Sequence, residues 1–338
     1  MNRIELIKTL ETVSRGLSNN NIAPAFSFFC FTGETVFSWN DSIGIVGPCK
    51  VKEPFGCHGA TLLGLLKNCK TPGVEFEVQK DYLLIIAGNS EFKLPYITQD
   101  EFLWKEPDHE NWESLQFPKP SVETCLSTCS NDIALGVFNQ VCLHGKYVYS
   151  CDGDAITKCT TIIGDDDCHP SLCLSQNFAS NVVKICNELD WLEPDFVFNN
   201  EWVGILDEYR IYGRNLGQPQ LDYEAEIRKS VGVNNFKFVP IPPELNDALS
   251  RARVVADAET KPTLLEIGGD HISLGTDTPM GYVSDVVKTD HSNITVNISA
   301  AMLQKSLEGC TEFCVTTNCI LLKGERILRL IANMSDEV

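Results

Sequence analysis

The chain has no basic surplus, no long hydrophobic run and no recognisable catalytic motif. Its 338 residues include 46 Asp and Glu against 27 Lys and Arg, so the formal net charge is −19. The surface of such an acidic chain does not, as a whole, attract nucleic acid. The apolar run at 23–31 is too short to span a bilayer, and the charged start is unlike a signal peptide. We therefore expect a soluble, cytoplasmic protein with no membrane partner.

Catalysis and metal binding also lack a sequence signature. There is no G-x-S-x-G element and no phosphate-binding glycine loop, and the six histidines are scattered without recurring Asp or Cys neighbours. The fifteen cysteines mostly occupy apolar periodic positions without zinc-ligand spacing, as expected of small buried side chains in a reducing compartment. We predict no enzyme activity, no cofactor and no metal site. An enzyme without a readable motif stays open as a third hypothesis.

The chain does contain a threefold internal repeat. A helix-like pattern of apolar residues opens each third near Ile4, Val122 and Leu245, at intervals of roughly 120 residues. Strand-like runs, a turn, a second helix-like stretch and further strand-like runs then follow in each third. The second helix-like stretches are 58–70, 175–187 and 297–309, and the turns are Trp39-Asn40-Asp41, Cys151-Asp152-Gly153 and Gly275-Thr276-Asp277.

This repeat predicts three α+β domains, at residues 1–108, 109–232 and 233–338, each with two helices packed on antiparallel sheets. Three such domains in a row form an arc whose terminal domains leave sheet edges unpaired. Head-to-tail contacts between copies close into a ring when the rotation between them allows it. We therefore expect the chain to close into a ring with further copies of itself, with the helices on one side.

The predicted helices are mildly basic, although the chain is acidic. They hold ten basic residues against six acidic ones. Within a ring, a basic helix face suits the phosphates of duplex DNA. We rank Lys67 and Lys70 first because their helix holds no acidic residue. Arg15 comes next, although Glu11 lies one turn before it and can partly pair with it. The candidate DNA-binding residues are Lys8, Arg15, Lys67, Lys70, Lys119, Lys184, Arg251, Arg253 and Lys305.

The order of these elements over the whole chain resembles that of the bacterial-type β sliding clamp, the processivity factor of DNA polymerase. The resemblance rests on the three repeats, on two helices in each, and on one turn that follows a strand. That turn, Cys151-Asp152-Gly153-Asp154-Ala155-Ile156, is similar to the family's Thr-Asp-Gly-His-Arg-Leu turn, with Asp and Gly identical and the basic pair replaced. The chain is also somewhat shorter than typical bacterial clamps and ends in the polar tail Met334-Ser335-Asp336-Glu337-Val338, and a divergent, virus-encoded member would fit both departures.

The resemblance implies the DNA-clamp fold and a ring-shaped homodimer that encircles duplex DNA and tethers a DNA polymerase without catalysis. The implied partners are double-stranded DNA, a DNA polymerase, a clamp loader and a second copy of the chain, at the nucleoid or an infected-cell replication site. The alternative is an acidic repeat scaffold that binds proteins without encircling DNA. The resemblance also implies a partner-peptide pocket, matched here by Cys151, Ile156, Pro240, Pro242, Leu330 and Ile331.

Overall fold

The computed structural model describes the chain in eight stretches and forms two compact units. Unit 1 comprises Met1–Lys119 and Asn177–Gly217, and unit 2 comprises Pro120–Gln176 and Gln218–Val338. No helix of the described residues is long and apolar enough to cross a membrane. The described stretches are 1–18, 23–161, 169–231, 237–255, 263–268, 270–278, 281–289 and 294–334.

The first third of the chain has a helix, four strands, a second helix and three strands. The helices are α1 (Arg3–Val13) and α2 (Gly59–Asn68). The side chain of Asn2 caps α1 by accepting hydrogen bonds from the first free backbone N–H groups. The strands are β1 (Phe28–Phe31), β2 (Thr35–Trp39), β3 (Ile43–Pro48), β4 (Phe55–His58), β5 (Glu75–Val78), β6 (Leu83–Ala87) and β7 (Ser90–Leu94).

The middle third repeats this order after one extra strand, β8 (Glu113–Gln116). Its helices are α3 (Lys119–Leu126) and α4 (Gln176–Glu188), and a further helix that the sequence pattern does not predict, α5 (Tyr223–Val231), ends it. The remaining strands are β9 (Gln140–Gly145), β10 (Tyr147–Cys151), β11 (Ala155–Thr160), β12 (His169–Ser175), β13 (Asp195–Phe198), β14 (Trp202–Leu206) and β15 (Arg210–Arg214).

The last third has the same order of elements. The short strand β16 (Val239–Pro240) precedes α6 (Leu245–Val255), and α7 (Ala300–Ser306) separates two groups of strands. The strands are β17 (Thr263–Gly268), β18 (His271–Thr278), β19 (Gly281–Lys288), β20 (Ile294–Ile298), β21 (Glu312–Val315), β22 (Cys319–Lys323) and β23 (Ile327–Ala332).

All six predicted helices are present, so the α+β repeat with two helices in each third is confirmed. The predicted turn Gly275-Thr276-Asp277 was wrong, because these residues lie inside β18 and the buried Thr276 hydroxyl bonds to that of Thr263 at 3.1 Å. The domain boundaries 1–108, 109–232 and 233–338 remain a prediction, and the one between 232 and 233 lies outside the described residues.

Each unit holds one eight-stranded antiparallel sheet that joins strands of two repeats. In unit 1 the order is β4-β1-β2-β3-β15-β14-β13-β8, with Gly44 of β3 opposite Tyr212 of β15. In unit 2 the order is β12-β9-β10-β11-β23-β22-β21-β16, with Ile156 of β11 opposite Leu330 of β23. The closing strands of one repeat therefore extend the sheet begun by another.

Two smaller sheets contain the strands that are left over from this pairing. Strands β5-β6-β7 form a sheet in unit 1, and β19-β18-β17-β20 form a sheet in unit 2. By its order in the repeat, β7 corresponds to β15 and β23, and β19 corresponds to β3 and β11. Among the described residues, however, β7 and β19 are edge strands with one neighbour each.

The helices pack on one face of these sheets through their apolar stripes. In unit 1, α1 lies on β2 and β3 and buries Leu6, Leu10 and Val13. In unit 2, α6 lies on β18 and β19 and buries Leu245 and Leu249 within a larger apolar cluster. Burial of such a stripe is the main source of helix stability in a globular protein. Twelve of the fourteen described cysteines are also buried, and all fourteen are free thiols.

The other face of the large sheet in unit 1 is covered by chain that follows β7. The indole of Trp104 stacks on that of Trp39, with ring centroids 5.4 Å apart and planes 9° apart. The indole also lies against Gly44, where a Cβ would approach it to 2.9 Å. Two residues further along, Glu106 accepts hydrogen bonds from the guanidinium of Arg210 and from the Tyr212 hydroxyl, the latter at 2.7 Å.

Glu106 fixes this covering segment electrostatically. Its burial opposes ionisation, but the hydrogen bonds from Arg210 and Tyr212 outweigh that effect and lower the pKa of its carboxyl group. A carboxylate whose pKa is lowered in the folded state stabilises the protein above the unfolded-state pKa. That contribution is lost as the pH falls through the folded-state pKa.

We predict that Glu106→Gln lowers the free energy of unfolding of unit 1 by about 2 kcal/mol at neutral pH, because hydrogen bonds to an ionised group are lost. The difference from the unchanged protein should shrink as the pH falls below the unfolded-state value of about 4.3. All five tryptophans lie in unit 1, so denaturant unfolding followed by tryptophan fluorescence reports on this unit. Glu110→Gln, at an exposed position nearby, is the matched control. An undiminished difference at low pH would contradict the assignment.

Candidate nucleic-acid interface and partner pocket

Lys67, the first-ranked DNA-binding candidate, is paired with an acid from a neighbouring helix. Its Nζ lies 2.7 Å from a carboxylate oxygen of Glu11 in α1, and about half of each side chain is exposed. Arg15, just after α1, forms an ion pair with Glu188 at the end of α4. The lack of an acid in α2 therefore does not leave Lys67 unpaired, because α1 supplies Glu11, and Arg15 pairs with Glu188 and not with Glu11. The charges of both cations are partly offset.

Both arginines of α6 are also engaged. Arg251 binds Asp285 of β19 in a bidentate ion pair, with two nitrogen–oxygen distances of 2.9 Å. Arg253 donates a hydrogen bond to the side-chain oxygen of Gln304 in α7 at 2.6 Å. The Gln304 contact leaves the charge of Arg253 uncompensated, whereas the Asp285 contact offsets that of Arg251. Only Arg253 of the two therefore keeps a full positive charge for a phosphate.

The remaining candidates are lysines, and most of them are free. Lys119 donates to the backbone oxygen of Trp191 at 3.2 Å, which holds the start of α3 but leaves its charge uncompensated. The other four are exposed, and none forms an ion pair or hydrogen bond with a described residue. They are the sites most available to a polyanion. These four are Lys8, Lys70, Lys184 and Lys305.

Three of the predicted pocket residues lie together on the outer face of the large sheet in unit 2, which is the face opposite the packed helices. Cys151 lies opposite Ile156 across the β10–β11 hairpin, and Ile156 lies opposite Leu330. All three are buried in one apolar cluster. The turn that precedes Ile156 is shaped by Asp152, whose carboxylate accepts two backbone N–H groups, and by Gly153 at φ 104°.

The other three predicted pocket residues are not brought to that face. Ile331 follows Leu330 and therefore points to the opposite side of the sheet, where it is fully buried in the cluster that packs on α6. Pro240 is exposed on β16, the far edge strand of the sheet. Pro242 lines a separate cavity of about 540 Å³ beside Gln304 of α7. The outer face thus gathers only Cys151, Ile156 and Leu330.

Helix α5 covers this apolar face. Its buried side chains Tyr223 and Ile227 belong to the same cluster as the three pocket residues. Tyr223 stacks on Tyr149 of β10, with centroids 5.1 Å apart and planes 16° apart. Beside the helix lies a cavity of about 420 Å³ lined by Tyr149, His144 and residues 218–224. Sequence reasoning missed α5, although apolar residues four apart, acids in its first turn and bases in its last turn indicate a helix.

The polar contact that holds α5 is made by Glu224. Its carboxylate accepts hydrogen bonds from the ammonium of Lys158 on β11 and from the Tyr149 hydroxyl, the latter at 2.7 Å. Partial burial opposes ionisation, but these hydrogen bonds outweigh it and lower the pKa of Glu224. Lys158 also lies over the ring of Tyr147, at 3.8 Å from the centroid. Burial raises the pKa of the covered Cys151 thiol to about 11.

In the described part of the chain, no group of three His, Cys, Asp or Glu side chains is placed to hold a metal ion. The site therefore consists of a set of helix cations and a covered apolar face. Such surfaces suit binding to phosphates and to protein segments.

Comparison with known proteins identifies the architecture. No protein-family model matches the sequence, and no curated protein is similar to it in sequence. The DNA polymerase III subunit beta of Pseudomonas aeruginosa matches with a TM-score of 0.84 and 14% identity, over 99% of both chains. A DNA polymerase sliding clamp of Bacillus subtilis matches with a TM-score of 0.84 and 16% identity, over 99% of this chain and 98% of that chain. The chain has the sliding-clamp fold.

A third solved structure, the DNA polymerase III beta chain of Streptococcus pneumoniae, gives a TM-score of 0.83 at 16% identity, over 99% of this chain and 98% of that chain. The clamp fold that the resemblance implied is therefore confirmed over the full length. At such low identities the likeness concerns the fold alone.

Proposed function

We propose that the protein is a DNA sliding clamp, of which two copies close head to tail around duplex DNA and tether a DNA polymerase without catalysis. The observation that carries this proposal is that β7 and β19 are both edge strands, although the corresponding strands of the other repeats are paired with each other. The likeness to solved DNA polymerase beta subunits supports it. The protein would act in the cytoplasm at sites of DNA replication, whether of a cell or of a virus.

The open strands are complementary by their place in the repeat. The pairs β3–β15 and β11–β23 each join the third strand of one repeat to the last strand of another. The same pairing between β19 of one copy and β7 of a second copy would build a further large sheet. Open edges are a liability unless covered, and β19 also exposes two-thirds of Tyr282 and of Val286. Two such contacts would close a ring of two chains.

The charge distribution suits a ring that slides. A closed ring stays on DNA because of its topology, so tight phosphate contacts are unnecessary and would slow its movement. A few free lysines on or near the helices, in a chain with a net charge of −19, give weak attraction at the helices and repulsion elsewhere. No base-reading motif is present in the sequence, so contacts with phosphates carry the binding.

The expected protein partners are a DNA polymerase and a clamp loader, because a closed ring must be opened onto DNA. Their point of contact on the chain is the apolar face of unit 2 around Cys151, Ile156 and Leu330. Substituting Ile156 by Asp is a poor test of this site, because the side chain is buried and pairs across the junction with Leu330. Variants of the covering helix probe the face with less damage to the sheet.

We predict that the protein has the mass of two chains at micromolar concentration in light scattering. Successive backbone N–H groups of an edge strand point alternately to its open edge and to its neighbouring strand. Proline has no N–H, so one of the variants Val283→Pro and Ser284→Pro removes a hydrogen-bond donor from the open edge of β19, and the other removes a hydrogen bond to β18. We expect one of the two variants to be a folded monomer and the other to be destabilised. A single-chain mass for the unchanged protein would contradict the ring, and a trimer would contradict the pairing of two chains.

We predict that the protein, once loaded, stays on closed circular duplex DNA far longer than on linear DNA of the same length. Only linear DNA has ends from which a ring can slide. Binding to linear duplex should be weak, with a log–log salt slope of about −0.9 for each phosphate contacted. The measurement is the fraction of protein that remains on DNA after gel filtration, before and after a single restriction cut. Equal retention would favour the acidic scaffold instead.

We predict that reversing the four free lysines together, as Lys8→Glu, Lys70→Glu, Lys184→Glu and Lys305→Glu, reduces loading and processive synthesis at least tenfold. The attraction between the helices and phosphates becomes repulsion, whereas the dimer mass should not change. A matched control reverses four exposed lysines on loops, so the net charge change is identical. Equal loss in both variants would show that net charge alone matters. The control residues are Lys50, Lys52, Lys80 and Lys105.

A further inference from the structure

Both large sheets have an outer face that is covered by chain connecting two repeats. In unit 1 the covered residues are Trp39 of β2, Gly44 of β3 and Tyr212 of β15, which lie side by side across three strands. The corresponding residues of unit 2 are Cys151 of β10, Ile156 of β11 and Leu330 of β23. The cover is Trp104 in the first case and α5 in the second. The two covers therefore occupy corresponding places in two copies of one sheet arrangement.

The cover in unit 1 is built into the core. Trp104 is only 6% exposed and stacks on Trp39, and it fits because position 44 is a glycine. Glu106 holds the same segment through Arg210 and Tyr212. Removing this cover would empty a space as large as an indole, which typically costs several kcal/mol. This face is closed permanently.

The covering helix in unit 2 is less deeply buried than the covering segment in unit 1. Ile156 stands where Gly44 stands in unit 1, so the space that an indole fills there is already occupied. Helix α5 has nine residues, too few to persist without its packing, and only Tyr223 and Ile227 are buried. A cavity of about 420 Å³ lies alongside it. The charged attachment of α5 is the carboxylate of Glu224 on Lys158 and Tyr149, beside weak hydrogen bonds that involve the thiols of Cys142 and Cys319.

We propose that α5 is a lid over the partner-binding face of unit 2, held shut by Glu224 in the free protein, and that a partner segment reaches Cys151, Ile156 and Leu330 only when α5 lifts from the sheet. The identity of the partner rests on the proposed clamp function. The opening of α5 does not, because it is a property of this chain alone. Each chain then has one outer sheet face that can be uncovered, in unit 2, and one that Trp104 keeps covered, in unit 1.

Cys151 provides a direct probe of the lid. While it is covered its thiol reacts slowly, since its pKa is raised to about 11, and it regains ordinary reactivity whenever α5 lifts. We expect Glu224→Gln to accelerate modification of Cys151 by N-ethylmaleimide about tenfold, measured by peptide mass spectrometry, because hydrogen bonds to a charged group are lost. Lys158→Met, which removes the other side of the contact, should give a similar increase.

The matched control is Lys229→Gln, on the same helix. The ammonium of Lys229 is exposed and makes a surface contact with Glu226 at 3.7 Å, so the rate at Cys151 should change less than twofold. Cys125, which is fully buried in α3, is the internal control for general unfolding. Its rate should stay constant in all variants.

Three results would overturn the lid. The first is an unchanged Cys151 rate in both Glu224→Gln and Lys158→Met. The second is a parallel rise at Cys125, which would mean that the unit unfolds as a whole. The third is equal acceleration in Lys229→Gln. None of these results bears on retention of the protein on circular DNA, so failure of the lid and failure of the clamp function are distinguishable.

Discussion

The pairing of a third strand from one repeat with a last strand from another organises this protein. At β3–β15 and β11–β23 the backbone hydrogen bonds of two repeats form one continuous ladder, so two eight-stranded sheets replace separate smaller ones. A junction of this kind satisfies backbone groups that an edge would leave open. It also sets the register of the residues on the outer face, because a shift by one residue would turn every side chain over.

The same pairing rule explains how the chain can fold stably while two of its strands lack a neighbour on one side. Three repeats provide three third strands and three last strands, but only two such pairs form among the described residues. The unused β7 and β19 have one neighbour each. In the proposed ring, a second copy supplies the missing neighbour of each strand. Charge plays a smaller part, because several helix cations already bond within their own unit.

The fold could be predicted from the sequence further than the site. Helices such as α1 and α6 follow from apolar residues three and four apart, a local pattern, and the repeats gave their order. The pairing of Lys67 with Glu11 is a contact between helices, which no local pattern contains. The position of Ile331 was missed because a strand alternates its faces and the register is set by β11. Helix α5 was missed because the helices were assigned from the repeat, and the described chain after β7 in the first repeat has no corresponding α-helix.

A single sequence position accounts for the difference between the two outer faces. At position 44 a glycine leaves room for Trp104, and the stacked indoles close unit 1 with a large apolar contact. At the corresponding position Ile156 fills that room, so the covering chain in unit 2 lies above the isoleucine and is held by hydrogen bonds to Glu224. Apolar packing of that depth is costly to undo, whereas a partly exposed polar contact contributes far less. The repeat that builds two equivalent faces therefore leaves only one of them able to open.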